Sequence, residues 1–415
     1  MAKRQNILEI NGQRLWATLG RSGEIGKGRP GGLCRLPLTD SDKEMRDQFV
    51  AWCRDAGCAV SVDGVGNIFA RRRGADDSLP PVVIGSHLDT QVAGGKYDGI
   101  LGVLAGLEVV RTLNEHGVET KRPIEVVSWT NEEGARFQPP MMGSAAFAGA
   151  LTVDQVLACI DDDGIAFGHD LRRIGYDGAV AVGGRKLDSY FELHIEQGPV
   201  LDAEKIDVGI VTGSYAMRGM VVEVTGEAAH AGPTPMSRRK NALVGAGMLI
   251  VAVNDVGWAH QPDGRSTATR IHCWPNKPGI LPEIVRVTFD FRHSDPAATE
   301  RMKGDIERAI ADCAKRANVS MAVVQSWQFG LKEVFDPECV GLLKDTARGL
   351  GIPIREMPSI AGHDAYHMSS ITPMAMIFTP CKDGISHNEK EHIELSYTVP
   401  GVNVLLNAVV ARANR

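Results

Sequence analysis

The most constraining feature of this sequence is a regular alternation of short apolar runs with longer amphipathic stretches. Apolar runs at 81–85, 124–129 and 190–195 have the length and composition of buried β-strands. Apolar residues at helical spacing follow the first run at 99–113, and small residues at 143–149 begin another helix. Strands that alternate with helices in this order predict an α/β fold with a mostly parallel sheet.

The pattern changes in the middle of the chain. There the predicted elements run strand, strand, helix, strand, strand, helix, at 206–212, 219–225, 241–253, 267–273, 283–291 and 295–317. This order is typical of an antiparallel sheet that carries two helices, an α+β module. A helix at 337–350 and a strand at 374–378 then resume the first pattern. We therefore expect an α/β domain formed by 1–212 and 331–415, interrupted by an α+β domain at 213–330.

Length, charge and cysteine usage narrow the class of protein. The chain has 415 residues, enough for two domains, and its formal net charge of -6 provides no basic field for nucleic acid or an anionic membrane. Its longest apolar run, 242–253, is too short to span a bilayer. Eight scattered cysteines without a CxxC spacing, and no apolar secretory segment at the N-terminus, favour a reduced cytoplasmic protein.

Polar residues follow the predicted strands at the edge where open α/β sheets bind ligands. These residues are His87, Asp89, Asp98, Glu132, Glu133, His194 and His387. Any one of them alone is typical of a surface loop, whereas their joint placement favours a metal site. The three histidines and Glu133, with Asp98 as a bridge, satisfy the ligand count of a two-metal hydrolase. Glu132 would then face the substrate as a base, and Asp89 would hold the imidazole of His87 from behind.

Longer motifs resemble those of the hydantoinase/carbamoylase amidases. This group contains N-carbamoyl-L-amino-acid hydrolase, β-ureidopropionase and allantoate amidohydrolase. The resemblance runs in order from about residue 38 to the end, on GSHLDT, GGKYDGILGVLAGLEVV, SWTNEEGARFQPPMMGS, ELHIEQGPVL, HAGPTPMSRRKNAL, DFRHSD, AGHDA and GISHNEKEH. It implies that 1–212 and 331–415 form a catalytic domain, and that 213–330 is a lid that also forms a homodimer.

The resemblance also implies roles for individual residues. It implies the metal ligands already named, with Glu132 as the general base. Substrate contacts are implied for Gln197, His230, Asn276, Arg292 and Gly362, with His230 supplied by the partner subunit and Gly362 in a loop that closes on the substrate carboxylate. On the residues alone, Arg292 could equally pair with Asp290 or Asp295, and His230 is typical of an exposed loop.

The implied activity is a metal-dependent amidohydrolase that cleaves the carbamoyl C–N bond of N-carbamoyl-L-amino acids or β-ureido acids. The products would be the amino acid, ammonia and carbon dioxide. A ligand set without thiolate suits two divalent ions, zinc or manganese, with cobalt or nickel also compatible. An allantoate amidohydrolase is the alternative of the same class. A catalytically silent metal-binding homologue is a further alternative, which the complete ligand set and Glu132 disfavour.

Overall fold

The computed structural model describes residues 7–329 and 334–415. Its helices are α1 (Gly12–Ser22), α2 (Asp40–Asp55), α3 (Ile100–Glu115), α4 (Met142–Ala148), α5 (Val153–Ala158), α6 (Phe167–Arg173), α7 (Val200–Glu204), α8 (Ala242–Ala259), α9 (Pro296–Ala317), α10 (Pro337–Leu350), α11 (Ala365–Ser369) and α12 (Leu395–Ala413). Its strands are β1 (Ala59–Val62), β2 (Ile68–Arg72), β3 (Val82–His87), β4 (Ile124–Trp129), β5 (Ser189–Ile195), β6 (Val208–Ser214), β7 (Ala216–Thr225), β8 (Arg265–Trp274), β9 (Ile284–His293), β10 (Ser320–Phe329), β11 (Ile354–Ser359) and β12 (Met374–Thr379). Short 3-10 turns occur at Met236–Arg238 and Lys382–Gly384.

The larger of two sheets has eight strands in the order β1-β2-β4-β3-β5-β12-β6-β11. Its centre is parallel, because β3 pairs in parallel with β4 and β5, and β12 pairs in parallel with β5. Antiparallel pairs β1–β2, β2–β4 and β12–β6 flank this centre. The predicted α/β class with a mostly parallel sheet is thereby confirmed.

Complete burial explains why the central strands have no polar alternation. Every residue of β3, β4, β5 and β12 is buried, as in a sheet covered on both faces. Helix α3 lies so close to β5 that a Cβ at Gly102 would come within 2.3 Å of the Leu193 carbonyl oxygen. This close approach sets the start of α3, and with it Asp98, beside the carboxyl ends of the strands.

The chain divides into two compact units. The first comprises Met1–Thr212, Phe335–Met357 and Gly362–Arg415, and the second comprises Gly213–Val334 and Pro358–Ala361. The second unit contains a four-stranded antiparallel sheet in the order β10-β7-β9-β8, with α8 and α9 packed on it. This is the predicted α+β module. The predicted boundary at 330/331 lies outside the described residues.

The assignment of strands to the two sheets differs in one respect from the prediction. The predicted strand 206–212 is β6, which pairs with β12 in the larger sheet. The smaller sheet takes its fourth strand from β10, which the pattern did not predict. An irregularity in register between Val323 and Gln325 interrupts the alternation of β10, so its period-two signal is weak.

Helix α8 is longer than its apolar run indicated. Among the helices of the described residues, it is the one long and apolar enough to span a membrane by length and composition, and 33% of it is buried within the protein. A single helix of this kind is weak evidence for a membrane span, because core helices pass the same test. Part of its outer face is apolar and exposed, at Leu243, Val244, Val251 and Trp258.

Candidate metal centre

Four neighbouring strands of the larger sheet deliver the predicted site residues to one edge. His87 is the last residue of β3, and His194 is the last but one of β5. Glu132 and Glu133 follow the end of β4, and His387 lies in the loop after β12. Since β4, β3, β5 and β12 are adjacent and parallel, their carboxyl ends meet at the same edge.

Asp98 lies between the three histidines and faces them with both carboxylate oxygens. Its Oδ1 is 3.1 Å from His194 Nε2 and 3.9 Å from His87 Nε2. Its Oδ2 is 3.3 Å from His387 Nε2, which is also 3.3 Å from Glu133 Oε2. Asp98 is therefore common to two groups of donor atoms, each within 4.8 Å of one another: His87, Asp98 and His194, and Asp98, Glu133 and His387. A carboxylate shared in this way has the geometry of a bridge.

The orientation of two imidazoles is fixed by main-chain carbonyl oxygens. His87 Nδ1 lies 2.9 Å from the carbonyl oxygen of Asp89, and His194 Nδ1 lies 2.9 Å from that of Ile195. A ring nitrogen that donates to a carbonyl leaves the other nitrogen with its lone pair, which is the usual arrangement behind a metal-bound histidine. Both Nε2 atoms point towards Asp98, so both rings turn their second nitrogen to the same space.

The charges of this cluster are not balanced by fixed cations. Within the described part of the chain, the ion-pair partners of Asp98, Glu132 and Glu133 are all histidines. Burial opposes ionisation of Asp98, but hydrogen bonds from His194 and His387 hold its pKa well below its usual range. The negative charge of Glu133 and the contact with Asp98 raise the pKa of His387 to about 11. A site that retains protons so strongly is suited to positive charge, which a divalent ion provides.

Glu132 and Glu133 lie in a bend after β4 and contact different histidines. Glu133 faces His387, whereas Glu132 Oε2 lies 3.4 Å from His87 Nε2. Burial, followed by the charges of Asp364 and Glu133, raises the pKa of Glu132 well above its usual range. Glu132 is therefore a buried carboxyl group with a high proton affinity beside the donor cluster.

Asp89 occupies the predicted place behind His87 but acts through a different atom. The main-chain carbonyl of Asp89 accepts the imidazole proton, and its carboxylate Oδ1 is 3.9 Å from the ring nitrogen. The carboxylate instead accepts the backbone N–H groups of Glu132 and Glu133, both at 3.2 Å. The His87 ring is thus held chiefly by the main chain of Asp89, and the role of the Asp89 carboxylate behind His87 stays a prediction.

Several residues of the site were not identified from the sequence. Gln91 donates to Glu133 Oε2 at 2.9 Å, and Ser386 Oγ donates to Asp98 Oδ2 at 2.6 Å. Beneath His194, Glu192 is fully buried and accepts hydrogen bonds from Ser86, Tyr190 and the Ala365 N–H. Each is a common residue type within a longer motif, so spacing alone gave no signal.

His363 and Asp364 of the AGHDA segment are buried beside the centre. The ring of His363 lies 4.4 Å from that of His194, centre to centre, in an edge-on arrangement. Asp364 accepts a hydrogen bond from Ser144. Gly362, the predicted substrate contact, precedes this pair and is half-buried. Gln197 donates to Asp98 Oδ2 at 2.8 Å, so its amide reaches the proposed bridge.

The other predicted substrate contacts lie in the second unit. Arg292 forms a two-pronged ion pair with Asp290, at 2.6 and 3.1 Å, and also donates to the Ile360 carbonyl. One of the alternatives from the sequence, pairing with Asp290, is thus present. His230 is exposed and its Nδ1 accepts the Gly232 N–H at 3.1 Å. Asn276 is exposed in the loop between β8 and β9.

Comparisons with known proteins show the family of the chain. The chain matches Peptidase family M20/M25/M40 over residues 83–411. It is 42% identical to an N-carbamoyl-L-amino-acid amidohydrolase of Rhizobium meliloti over 97% of both chains. It is 36% identical to an N-carbamoyl-L-amino acid amidohydrolase of Geobacillus stearothermophilus, over 96% of this chain and 98% of the relative.

A solved structure extends the similarity to three dimensions. The crystal structure of an amidase of the hydantoinase/carbamoylase family from Burkholderia vietnamiensis has a TM-score of 0.96 and 45% sequence identity, over 98% of each chain. Sequence and fold point to the same group of proteins. The chain therefore belongs to Peptidase family M20/M25/M40 and, within it, to the hydantoinase/carbamoylase amidases.

Proposed function

We propose that this chain is a metal-dependent amidohydrolase that cleaves the carbamoyl C–N bond of N-carbamoyl-L-amino acids. The observation that carries the proposal is the sharing of Asp98 between two groups of donors, with Glu132 beside them. The two amidohydrolases named above, which carry this activity in their names, support the same substrate class. Eight free cysteines suit a reduced, cytoplasmic setting.

The donor atoms fit a pair of divalent ions. His87 and His194 would hold one ion, Glu133 and His387 the other, and Asp98 would bridge them. Imidazole and carboxylate donors without thiolate suit zinc or manganese, and also cobalt or nickel. When bound, such ions would supply a polarised water and a Lewis acid for the carbamoyl oxygen.

Glu132 supplies the proton transfers of the proposed reaction. Its carboxylate takes a proton from the attacking water as the water oxygen bonds to the carbamoyl carbon. The C–N bond to the amino acid then breaks, and Glu132 returns the proton to the leaving nitrogen. The carbamate that remains decomposes to carbon dioxide and ammonia. The raised pKa of Glu132 supports this role, because a carboxylate that binds a proton readily is a better base.

Arg292 and His230 provide the chemistry that the ends of the substrate need. The Arg292 guanidinium is a planar fork that matches a carboxylate, and Asp290 fixes its plane from one side. His230 Nδ1 accepts the Gly232 N–H, so a neutral ring carries its proton on Nε2. That N–H is available for the oxyanion that develops on the carbamoyl oxygen.

The positions of these residues within the second unit favour a site built from two subunits. His230 pairs with Ile280, next to the start of β9, whereas Arg292 is near the end of β9. From Ile284 to Arg292 the strand extends about 27 Å at the usual rise per residue. A small ureido acid cannot reach both residues of one chain. We therefore propose that His230 comes from the partner of a homodimer.

The surface of the second unit supports this dimer. Within the described residues β8 pairs with β9 alone, so its other edge offers ten residues of backbone to another strand. Ile271 and Trp274 on β8 are exposed, as is the apolar face of α8 that contains Val251 and Trp258. An open strand edge flanked by exposed apolar side chains is a template for association.

A substrate panel tests the proposal. The protein, reconstituted with Mn²⁺ or Zn²⁺, is assayed for ammonia and for free amino acid with N-carbamoyl-L-methionine, N-carbamoyl-β-alanine and allantoate. We expect the highest kcat/KM with the L-methionine derivative. Preferential turnover of allantoate would contradict the proposed substrate class but not the proposed metal centre.

A further inference from the structure

Glu391 lies outside the ligand set but touches it from behind. It is 5% exposed and lies four residues after His387. Its Oε1 accepts two backbone N–H groups, from Tyr97 at 2.8 Å and from Asp98 at 3.1 Å. With both N–H groups converging on one oxygen, the main chain at Asp98 is fixed by a side chain almost 300 residues away in sequence.

The second oxygen of Glu391 reaches the same ligand by another route. Ser386 Oγ lies 3.2 Å from Glu391 Oε2 and 2.6 Å from Asp98 Oδ2, so this hydroxyl links the two carboxylates. Glu391 therefore contacts both the backbone of Asp98 and, through Ser386, its carboxylate. Ser386 also precedes His387, so the two loops that supply Asp98 and His387 are joined at this point.

The loop before Asp98 is shaped to receive this carboxylate. A Cβ at Gly95 would lie 2.0 Å from Glu391 Oε1, so glycine leaves the space that the carboxylate fills. On the other side of the loop, Gly94 exchanges two backbone hydrogen bonds with Leu33, at 2.9 and 3.0 Å. The loop is thus held between Leu33 and Glu391, and removing either support frees Asp98.

We propose that Glu391 is a positioning residue of the metal centre: it holds Asp98 where the Asp98 carboxylate can contact both ions. The proposal rests on the proposed metal-dependent function of this site. Glu391 acts through Asp98 and Ser386, because its Oε1 accepts two backbone N–H groups and its Oε2 contacts the Ser386 hydroxyl. Groups that orient a metal ligand in this way commonly contribute about 10–100-fold to metal affinity.

Three substitutions separate positioning from simple structural support. Glu391→Ala removes the acceptor of both N–H groups and the link to Ser386. Glu391→Gln keeps the shape, because its amide oxygen accepts both N–H groups and its NH₂ donates to Ser386. Ser386→Ala removes the hydroxyl link and leaves the backbone contacts of Glu391. It replaces Glu391→Ala in the binding experiment if Glu391→Ala does not fold.

Glu108 offers a matched control elsewhere in the first unit. Like Glu391 it is a buried carboxylate, 1% exposed, that accepts a backbone N–H, here from Asn11 at 3.1 Å. It also pairs with Arg14 at 2.7 Å and has no contact with a proposed ligand. Glu108→Ala should therefore lower stability without changing metal binding.

The experiment measures Mn²⁺ binding to the metal-free protein by calorimetry, together with kcat and KM. We expect Glu391→Ala to bind Mn²⁺ about tenfold more weakly or worse, with kcat reduced and KM little changed. Glu391→Gln should recover most of this loss, Ser386→Ala should weaken binding to a smaller extent, and Glu108→Ala should bind as the wild type does. Wild-type Mn²⁺ affinity in Glu391→Ala, or in Ser386→Ala if the former does not fold, would overturn the inference. Equal weakening in Glu108→Ala would also overturn it. Failure of the wild type to bind Mn²⁺ would instead refute the proposed function, and the inference with it.

Discussion

The substitution Asp89→Asn tests how the pair Glu132 and Glu133 is held. The Asp89 carboxylate is 2% exposed and accepts one backbone N–H from each glutamate. Asparagine keeps one acceptor and turns an NH₂ towards the other N–H. The loss of a hydrogen bond to a charged acceptor, with a donor left unpaired, costs about 2–3 kcal/mol.

A second effect opposes this loss. Burial raises the pKa of Asp89 to about 6, so at neutral pH the folded protein bears the cost of an ionised buried group. A shift of about two units corresponds to about 3 kcal/mol, which asparagine recovers. The two effects nearly cancel. We therefore expect the free energy of unfolding of the metal-free protein to change by less than about 2 kcal/mol, whereas kcat falls about 10–100-fold because one of the two glutamates loses its backbone support.

Urea unfolding and turnover, measured on the same preparations, separate the two effects. Asp63→Asn is the matched control, because Asp63 is also fully buried, also has a pKa raised by burial to about 6, and also accepts two backbone N–H groups, from Val65 and Asn67. Asp63→Asn should change the free energy of unfolding by a similar amount and keep most of the wild-type kcat. Wild-type kcat in Asp89→Asn, or an equal loss of kcat in Asp63→Asn, would refute the reasoning.

Three further predictions follow from the site and the fold. Glu132→Gln should keep fold and metal affinity but lose about 10²–10⁴ in kcat; near-wild-type turnover would remove Glu132 from the role of base. Separately inactive His230→Ala and Arg292→Ala chains, when mixed after dissociation, should regain about a quarter of wild-type activity, since half the dimers then contain one intact site; no recovery would contradict the shared site. Burial lowers the pKa of His367 to about 4, below the 6.5 of an unfolded histidine. The unfolded chain thus binds the proton first, and stability should fall by up to about 3 kcal/mol between pH 6.5 and pH 4. His367→Gln should flatten this part of the unfolding profile, and an unchanged profile would contradict the assignment.

The sequence predicted the elements that lie deepest in the protein. The central strands β3, β4, β5 and β12 are continuous apolar runs, because both faces of the sheet are covered. The residues that follow them could then be placed at one edge from the parallel order alone. Peripheral elements were harder to predict: α1 begins in a mixed segment, and an irregularity at Val324 obscures the alternation of β10.

At the site, the sequence could not predict which atoms contact each other, because those contacts depend on the path of the backbone. Residue types and order indicated His87 and Asp89 as partners, but only the path of the backbone decides that a carbonyl, and not the carboxylate, contacts the ring. Glu391 shows the same limit over a longer distance. The spacing of GISHNEKEH does not indicate that Glu391 accepts the backbone N–H groups of residues 97 and 98. Such contacts depend on tertiary structure that no local pattern encodes.

The central claim is that Asp98 bridges two divalent ions. Its most direct test is a crystal structure of the Mn²⁺- or Zn²⁺-loaded protein, with anomalous scattering at the metal edge and metal content measured on the same sample. We predict two ions per chain, one contacting His87 and His194, the other contacting Glu133 and His387, and both contacting Asp98. Ions bound elsewhere, or a loaded protein in which Asp98 contacts no ion, would contradict the account.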